Sequence, residues 1–393
     1  MKKNNLLIFV NNINSALLMS SKLLEKKNKI SDVSIIIEER YSDGKIKFKF
    51  RNQYSKLIKK IFSSIDCKKI YFYRRPDNYE MFSLRNFFYI FKIKKKNEKY
   101  KEQINNFIKS NKIDLNLVNE VWFSNDLISK IFLNNFDCSH SYFFHGLGDI
   151  MILKKKNLLL SLIDRFKFIV NNNFYEIYYL YNHKKVKFYS LYKKNYNNKI
   201  FNLPSEINKD FYKMILSKLS KKYSKLVFKK KIVLITDNII LQKFNSYKAK
   251  QFSKIYVKHL IIFFKKNKIK ISNYIFLFKW KGSVPDFHKK IFKNEFMNNK
   301  LIIKDINEYL KDYIPLELLI PNLKPNFIMS YYSTINFFLK SMFPKIKIVN
   351  TFKIHKSIEK DYLKYHRVNN LNKLLENSEK IKKLVSVPYD MSV

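Results

Sequence analysis

Two short apolar runs, Leu6–Val10 and Lys231–Thr236, set most of what this chain can fold into. The first is a β-type run that stops at Asn11-Asn12-Ile13-Asn14-Ser15, and a segment of helical period, Ala16–Lys27, follows it. The second reads as a buried strand, stops at Asp237-Asn238, and leads to a second helical segment, Tyr247–Lys265. Strand, polar turn, helix is the opening of a Rossmann-like unit, here without the glycine fingerprint GxGxxG. A chain that makes this opening twice, far apart, predicts two such units.

The intervening residues extend the alternation. Strands are expected at Asp32–Ile37, Lys69–Tyr73, Val118–Phe123, around Ser141-Tyr142-Phe143-Phe144, and at Asn273–Phe278. Helices are expected at Tyr54–Ser64, Tyr100–Asn111, Leu127–Phe136 and Leu158–Val170. Strands and helices at this spacing predict parallel α/β sheets. Lys92–Lys101 reads as a solvated loop or a helix start, and Asn171–Asn198 as strand-like or irregular. The expected division is an N-terminal Rossmann-like domain over 1–200 and a basic linker over 201–229. A C-terminal Rossmann-like domain over 230–360 and a helical tail over 361–393 complete it. Two α/β halves joined by a linker are the layout of a GT-B protein, in which two Rossmann-like domains face each other across a cleft, and other two-domain α/β proteins share it.

The net charge of +47 over 393 residues points to an anionic partner: nucleic acid, an anionic membrane surface, or an acidic or phosphorylated substrate. AT-rich codon usage accounts for part of it, since Lys, Asn, Ile, Phe and Tyr are all abundant. The basic residues are spread among apolar ones, and no RNA- or DNA-binding motif is visible, so no specific nucleic acid is expected. Cys67 and Cys138 make no metal-ligand spacing and no disulfide framework, which predicts a reducing compartment. The first apolar run is too short for a signal peptide, and no stretch approaches the ~18 apolar residues of a membrane span. A cytoplasmic protein, peripheral on the inner membrane face, is the expectation. The Lys92–Lys101 and Lys221–Lys231 runs are its candidate lipid contacts.

The candidate chemistry lies at strand ends. The chain has four glycines, and Gly146 and Gly148 fall together in His145-Gly-Leu-Gly-Asp149, just after a predicted strand. A Gly-rich turn at a strand's carboxyl end is where open α/β sheets place ligands. His145 and Asp149 could work there as a base, or merely edge a turn. Gly282 closes the run Phe278-Lys279-Trp280-Lys281-Gly282. Pro315 starts a helix that carries the carboxylate of Glu317, and a strand from Lys324 ends in the hydroxyls of Ser333 and Thr334 at the start of another helix. Hydroxyls and free N–H groups at a helix N-terminus suit a phosphate, though either hydroxyl can serve as an N-cap. Asn12, Ser15 and Asp237 lie at the two polar turns, and Asn12 and Ser15 also suit capping. No Asp-x-Asp or His/Cys cluster implies a metal, and no cofactor is expected.

Together these stretches resemble the bacterial sialyltransferases and polysialyltransferases of capsule and lipooligosaccharide synthesis. The likeness rests on three places. They are the opening strand and its polar turn, His145-Gly-Leu-Gly-Asp149 in the place of an acidic-acidic-Gly motif, and Ile314-Pro-Leu-Glu317 followed by Ser333-Thr334. The resemblance implies a GT-B enzyme that moves sialic acid, or a related nonulosonic acid, from CMP to a glycan or glycolipid acceptor. Transfer would be inverting and metal-independent. It implies His145 or Asp149 as base, Glu317 on the cytidine ribose, Ser333 and Thr334 on the phosphate, and Lys279 and Lys281 neutralising it. Two positions depart from the family pattern. Phe144-His145 replaces the acidic pair, and Lys281-Gly282 replaces a His-Pro, with His288 a little further on as an alternative. The competing readings are a GT-B capsule or lipopolysaccharide transferase with another nucleotide sugar, a basic nucleic-acid-binding protein, and an inactive family member.

Overall fold

The computed structural model describes residues 4–39, 51–74, 90–124, 138–143, 162, 186–190, 205–221, 228–236, 241, 244–280, 284–310, 314–330, 339 and 342–351. The chain divides into two compact units at Ile215/Leu216, inside a helix.

The first unit is built on strands β1 (Asn4–Val10), β2 (Ile30–Glu39), β3 (Lys69–Arg74), β4 (Glu120–Phe123), β5 (Ser139–Phe143), β6 (Val186–Ser190) and β7 (Ser205–Glu206). They pair in the order β3-β2-β1-β4-β5-β6-β7, and every pairing is parallel. Parallel sheets carry helices on both faces, so their central strands are apolar throughout. Leu6–Val10 and Ile35–Ile37 meet this demand and are buried. Helices α1 (Ile13–Glu25), α2 (Arg51–Ser63) and α3 (Ile90–Ser110) belong to this unit. The order 3-2-1-4-5-6 is that of a Rossmann sheet, with its switch point between β1 and β4.

Three local readings change. The helix after β1 starts at Ile13, not Ala16, because Asn12 caps it by accepting from the Asn14 N–H at 2.8 Å. Lys92–Lys101 lies wholly within α3. The stretch 201–229, read as a linker, contains β7 and helix α4 (Lys209–Ser220).

The second unit holds β8 (Lys231–Ile235), β9 (Tyr274–Phe278), β10 (Ile303–Asp305), β11 (Phe327–Ser330) and β12 (Lys347–Asn350), with α5 (Ser246–Lys266), α6 (Asp286–Asn298) and α7 (Leu316–Leu323). The order β10-β9-β8-β11-β12, all parallel, is again a Rossmann half with its switch point between β8 and β11. One face of this sheet buries α5 and α6 in an aromatic core. Phe292 of α6 lies 5.4 Å from Tyr256, 4.9 Å from Phe278 and 5.3 Å from Phe296, centroid to centroid. Tilted and edge-to-face rings at such distances add to the area they bury.

The chain returns from β10 to β11 past β9 and β8, so a right-handed crossover puts α7 on the face opposite α5 and α6. The far end of α7 is tied to the amino end of β8. Asn326 accepts from the Ile232 N–H at 3.1 Å, and its own N–H donates to the Ile232 carbonyl at 2.9 Å. The N-terminus of α7 therefore points to the carboxyl edge of the sheet.

In the first unit a buried carboxylate ties α1 to the sheet. Glu120 accepts from Lys26 Nζ at 3.0 and 3.1 Å, from Trp122 Nε1 at 2.7 Å and from Ser141 Oγ at 3.3 Å. A buried carboxylate with four such bonds is tolerable, whereas removing it strands a cation and two donors. Glu120→Ala should therefore cost about 3 kcal/mol of unfolding free energy in urea titrations. A loss below about 1 kcal/mol would mean that the cluster is solvated rather than structural.

Candidate functional site

In each unit the strands end on one edge, where the loops carry ligands in doubly wound sheets. The edge of the second unit is better defined by its residues. Ile235 of β8 pairs with Phe278 of β9, Asp305 of β10 also pairs with Phe278, and Met329 of β11 pairs with Ile235. Thr236, Lys279, Ser330 and Thr351 therefore leave the sheet at nearly one level. Thr236 closes the switch point, its N–H and Oγ1 both donating to the Met329 carbonyl at 3.1 and 3.3 Å. The Thr351 N–H donates to the Ser330 carbonyl at 3.4 Å.

Met329 faces the α5/α6 core, so alternation turns Ser330 to the opposite face, the one that α7 covers. Ser330 is 0% exposed, and its Oγ has no hydrogen-bond partner among the described residues. Glu317, the second residue of α7, is 7% exposed in the helix's first turn, where the helix dipole favours a carboxylate. The eight residues of α7 rise about 12 Å and the four of β11 about 13 Å. A helix anchored at the amino edge thus lifts Glu317 to the level of Ser330. Pro321 within α7 has no N–H to give the Glu317 carbonyl, which loosens the helix at the turn that carries the carboxylate.

Two further polar groups are buried by this edge. Trp280 stacks on Phe278 at 5.1 Å, its carbonyl accepts from Asn307 Nδ2 at 3.3 Å, and its Nε1 is buried without a partner. His288, third residue of α6, is 1% exposed. Burial holds its pKa below the ordinary histidine value, and the Leu241 backbone opposes this only in part. The ring is therefore neutral at physiological pH.

In the first unit, Asn11 follows β1 and donates from Nδ2 to Glu38 Oε2 at 3.4 Å, both side chains being buried. The Tyr54 hydroxyl accepts from the Ile13 N–H at 3.4 Å. With Asn12 on the Asn14 N–H, the first turn of α1 already has two of its donors satisfied within the protein. Ser15 is not the cap. It is fully buried, and its Oγ is unpartnered.

Of the residues singled out in the sequence, Asn12, Ser15, Lys279, Glu317 and the alternative His288 are described, and Lys279 is half-buried one residue beyond β9. His145, Gly146, Gly148, Asp149, Asp237, Lys281, Gly282, Ser333 and Thr334 lie outside the described residues. Their attachment points are described. β5 ends two residues before His145, β8 two before Asp237, β9 three before Lys281, and Ser330 stands three before Ser333. Sequence reading placed Asn11 in the polar turn after β1 but missed Glu38 and Ser330 as edge residues, although a polar residue at the end of an apolar strand was the available signal.

No protein-family model matches the chain, and no curated protein matches it. Solved structures resemble it distantly. One is a UDP-N-acetylglucosamine 2-epimerase homologue from Listeria monocytogenes, at 12% identity and TM-score 0.45, covering 99% of this chain and 93% of its own. Another is Acinetobacter baumannii MurG, at 10% identity and TM-score 0.38, covering 88% and 78%. A third is a sialyltransferase from Photobacterium damsela, at 12% identity and TM-score 0.41, covering 88% and 74%. The strand orders stand without these likenesses: the chain is an α/β protein of two Rossmann-like domains in tandem, the domain composition of the GT-B fold.

Two measurements test this edge. Ser330→Ala removes a hydroxyl without a hydrogen-bond partner among the described residues, so it should leave the melting temperature unchanged or raise it. A loss beyond about 1 kcal/mol in the free protein would mean that the hydroxyl has a partner. For His288 the unfolded chain takes up the proton more readily. Its contribution to stability is therefore complete above about pH 6.5 and is lost as pH falls towards the depressed folded value. His288→Leu should lose less stability than the parent between about pH 7 and about pH 5 in thermal melts. Equal losses would mean that the folded ring protonates freely.

Proposed function

We propose that this protein is a nucleotide-sugar-dependent glycosyltransferase of the GT-B type. Within that class we read it as an inverting, metal-independent sialyltransferase that uses a CMP-activated donor. The observation that carries the reading is the corner of the second sheet where crossover geometry brings Glu317 of α7 level with Ser330 of β11. A carboxylate held at a helix start suits two vicinal ribose hydroxyls. The hydroxyls of Ser333 and Thr334, which follow β11 in the sequence, and the ammonium of Lys279, which follows β9, suit a phosphate.

In this mechanism His145 takes the proton of the acceptor hydroxyl, with Asp149 as the alternative base in the same turn. The hydroxyl oxygen attacks the anomeric carbon from the face opposite the phosphate. The bond from that carbon to the phosphate oxygen breaks through an oxocarbenium-like state, and CMP leaves with the bonding pair. Ser333 and Thr334 hold the departing phosphate, and Lys279 and Lys281 offset its charge. Asn12, Ser15, Gly146 and Gly148 shape the acceptor side, and Asp237 and Gly282 the donor side. The acceptor is a cell-surface glycan or glycolipid, and the protein works in the cytoplasm at the inner face of the membrane.

The test is release of CMP from CMP-sialic acid by the parent, His145→Ala and Glu317→Ala. Turnover in the parent, reduced at least about 100-fold in both variants, is the expected result. Loss only in Glu317→Ala would move the base to Asp149. Thermal shifts with CMP, UDP and GDP separate the donors, and stabilisation by UDP alone would overturn the CMP assignment. Absence of any nucleotide effect, alongside salt-dependent RNA binding, would overturn the enzymatic reading.

A further inference from the structure

Helix α5 runs 21 residues, Ser246–Lys266, and contains six lysines and no Asp or Glu. At about 100° per residue its surface divides cleanly. Ala249, Phe252, Ser253, Tyr256, Val257, Leu260, Phe263 and Phe264 form its buried side. On the other side Tyr247, Lys254, Lys258, Ile262 and Lys265 fall within an arc of about 80°. Lys250 and Lys266 flank that arc, and all seven side chains are exposed. None of these five lysines has a carboxylate partner among the described residues.

This arrangement costs stability. Lys250, Lys254 and Lys258 repel at successive i,i+4 spacings, and nothing on the helix offsets them. Among the described residues, Asp286 on the neighbouring helix is paired with Lys289, and Glu308, in the short 3-10 turn after β10, is paired with Lys293. Apolar side chains stand on the same lysine face: Tyr247 is 75% exposed and Ile262 47%. The adjoining α6 exposes Met297 and Phe287 as well. Lysines with long stems around isolated apolar and tyrosine side chains, along a straight span of about 31 Å, match the headgroup layer of an anionic bilayer. The ammonium groups meet lipid phosphates there, and Ile262 and Tyr247 enter the layer beneath. A nucleic-acid groove would use the lysines but leave the aliphatic Ile262 and Met297 in water.

We propose that the exposed face of α5 is a docking surface for an anionic lipid bilayer. It deepens the membrane location given above and adds the α5 face to the candidate contacts Lys92–Lys101 and Lys221–Lys231. It does not depend on the donor, because vesicle binding needs no sugar transfer.

The experiment is co-sedimentation of the full-length protein with vesicles of phosphatidylcholine and phosphatidylglycerol, against vesicles of phosphatidylcholine alone. The α5 variant Lys250→Gln/Lys254→Gln/Lys258→Gln is compared with an α2 variant of equal charge loss, Lys56→Gln/Lys59→Gln/Lys60→Gln, whose lysines are also exposed. Binding to the mixed vesicles alone, weakened at least about tenfold by the α5 variant and less than about twofold by the α2 variant, is the expected result. Ile262→Ser should weaken binding a further few-fold in about 0.5 M salt, where the charge contribution is screened. Equal losses in the two lysine variants would overturn the proposal, since net charge would then suffice. Parent protein indifferent to vesicles, with single-stranded RNA binding lost in the α5 variant, would overturn it in favour of a nucleic-acid face. CMP release by both lysine variants should equal that of the parent, which separates failure of the docking face from failure of the enzymatic reading.

Discussion

A parallel strand can be joined to its neighbour only by a chain that crosses back over one face of the sheet, and that crossover is right-handed. The constraint governs the second unit. From β8 the chain moves outward through β9 to β10 with α5 and α6 on one face. To place β11 on the free side of β8 it must cross to the other face, and α7 is that crossing. The site depends on the reversal. In sheets of this order helices on both faces point their N-termini at the same edge, and the switch point, here between β8 and β11, is the general place for a ligand. Thr236, bonded twice to the Met329 carbonyl, holds these two strands together at that edge.

The same constraint explains where polar groups are tolerated. Buried strands with helices on both faces leave polar side chains no water, so such residues collect at strand ends or need full sets of partners. Glu120 represents the second solution, with Lys26, Trp122 and Ser141 around it. Ser330 belongs to the first and lacks partners, although it is as deeply buried.

How much was legible follows from the same physics. Leu6–Val10 and Ile232–Ile235 are uniform because both faces are covered, and that uniformity marks them without context. Glu317 was legible because Pro315 starts its helix. The short strands β10 and β12 were missed, since three or four residues at the sheet's outer positions carry no period. Helix α6 was missed too: it buries only His288, Phe292 and Phe296 completely, and its Lys and Asn residues hide that stripe. The first half of α3 was read as a solvated loop or a helix start; Phe91, at 83% exposure, and Lys92, Lys95 and Lys99 face solvent, so the described side chains there give no apolar stripe to read. Asn12 and Ser15 were both plausible caps, and the bond that Asn12 Oδ1 accepts from the Asn14 N–H decides between them. Sequence order places Glu317 before Ser330 but says nothing of face. Their reaching one level on one face of the sheet follows from handedness, which spacing does not encode.

The charge remains to be placed in this scheme. A net +47 does not help a compact state, since like charges repel through it. The second unit folds because its aromatic core outweighs that repulsion. Phe252, Tyr256, Phe263 and Phe264 on α5 each bury enough ring area to offset several i,i+4 lysine contacts on the opposite side of the same helix. The two faces of α5 are thus energetically separate: one is fixed by packing, and the other could carry any polar residues without loss of fold. A face free to vary, yet lysine-rich, acid-free and interrupted by Tyr247 and Ile262, has a composition that folding does not require.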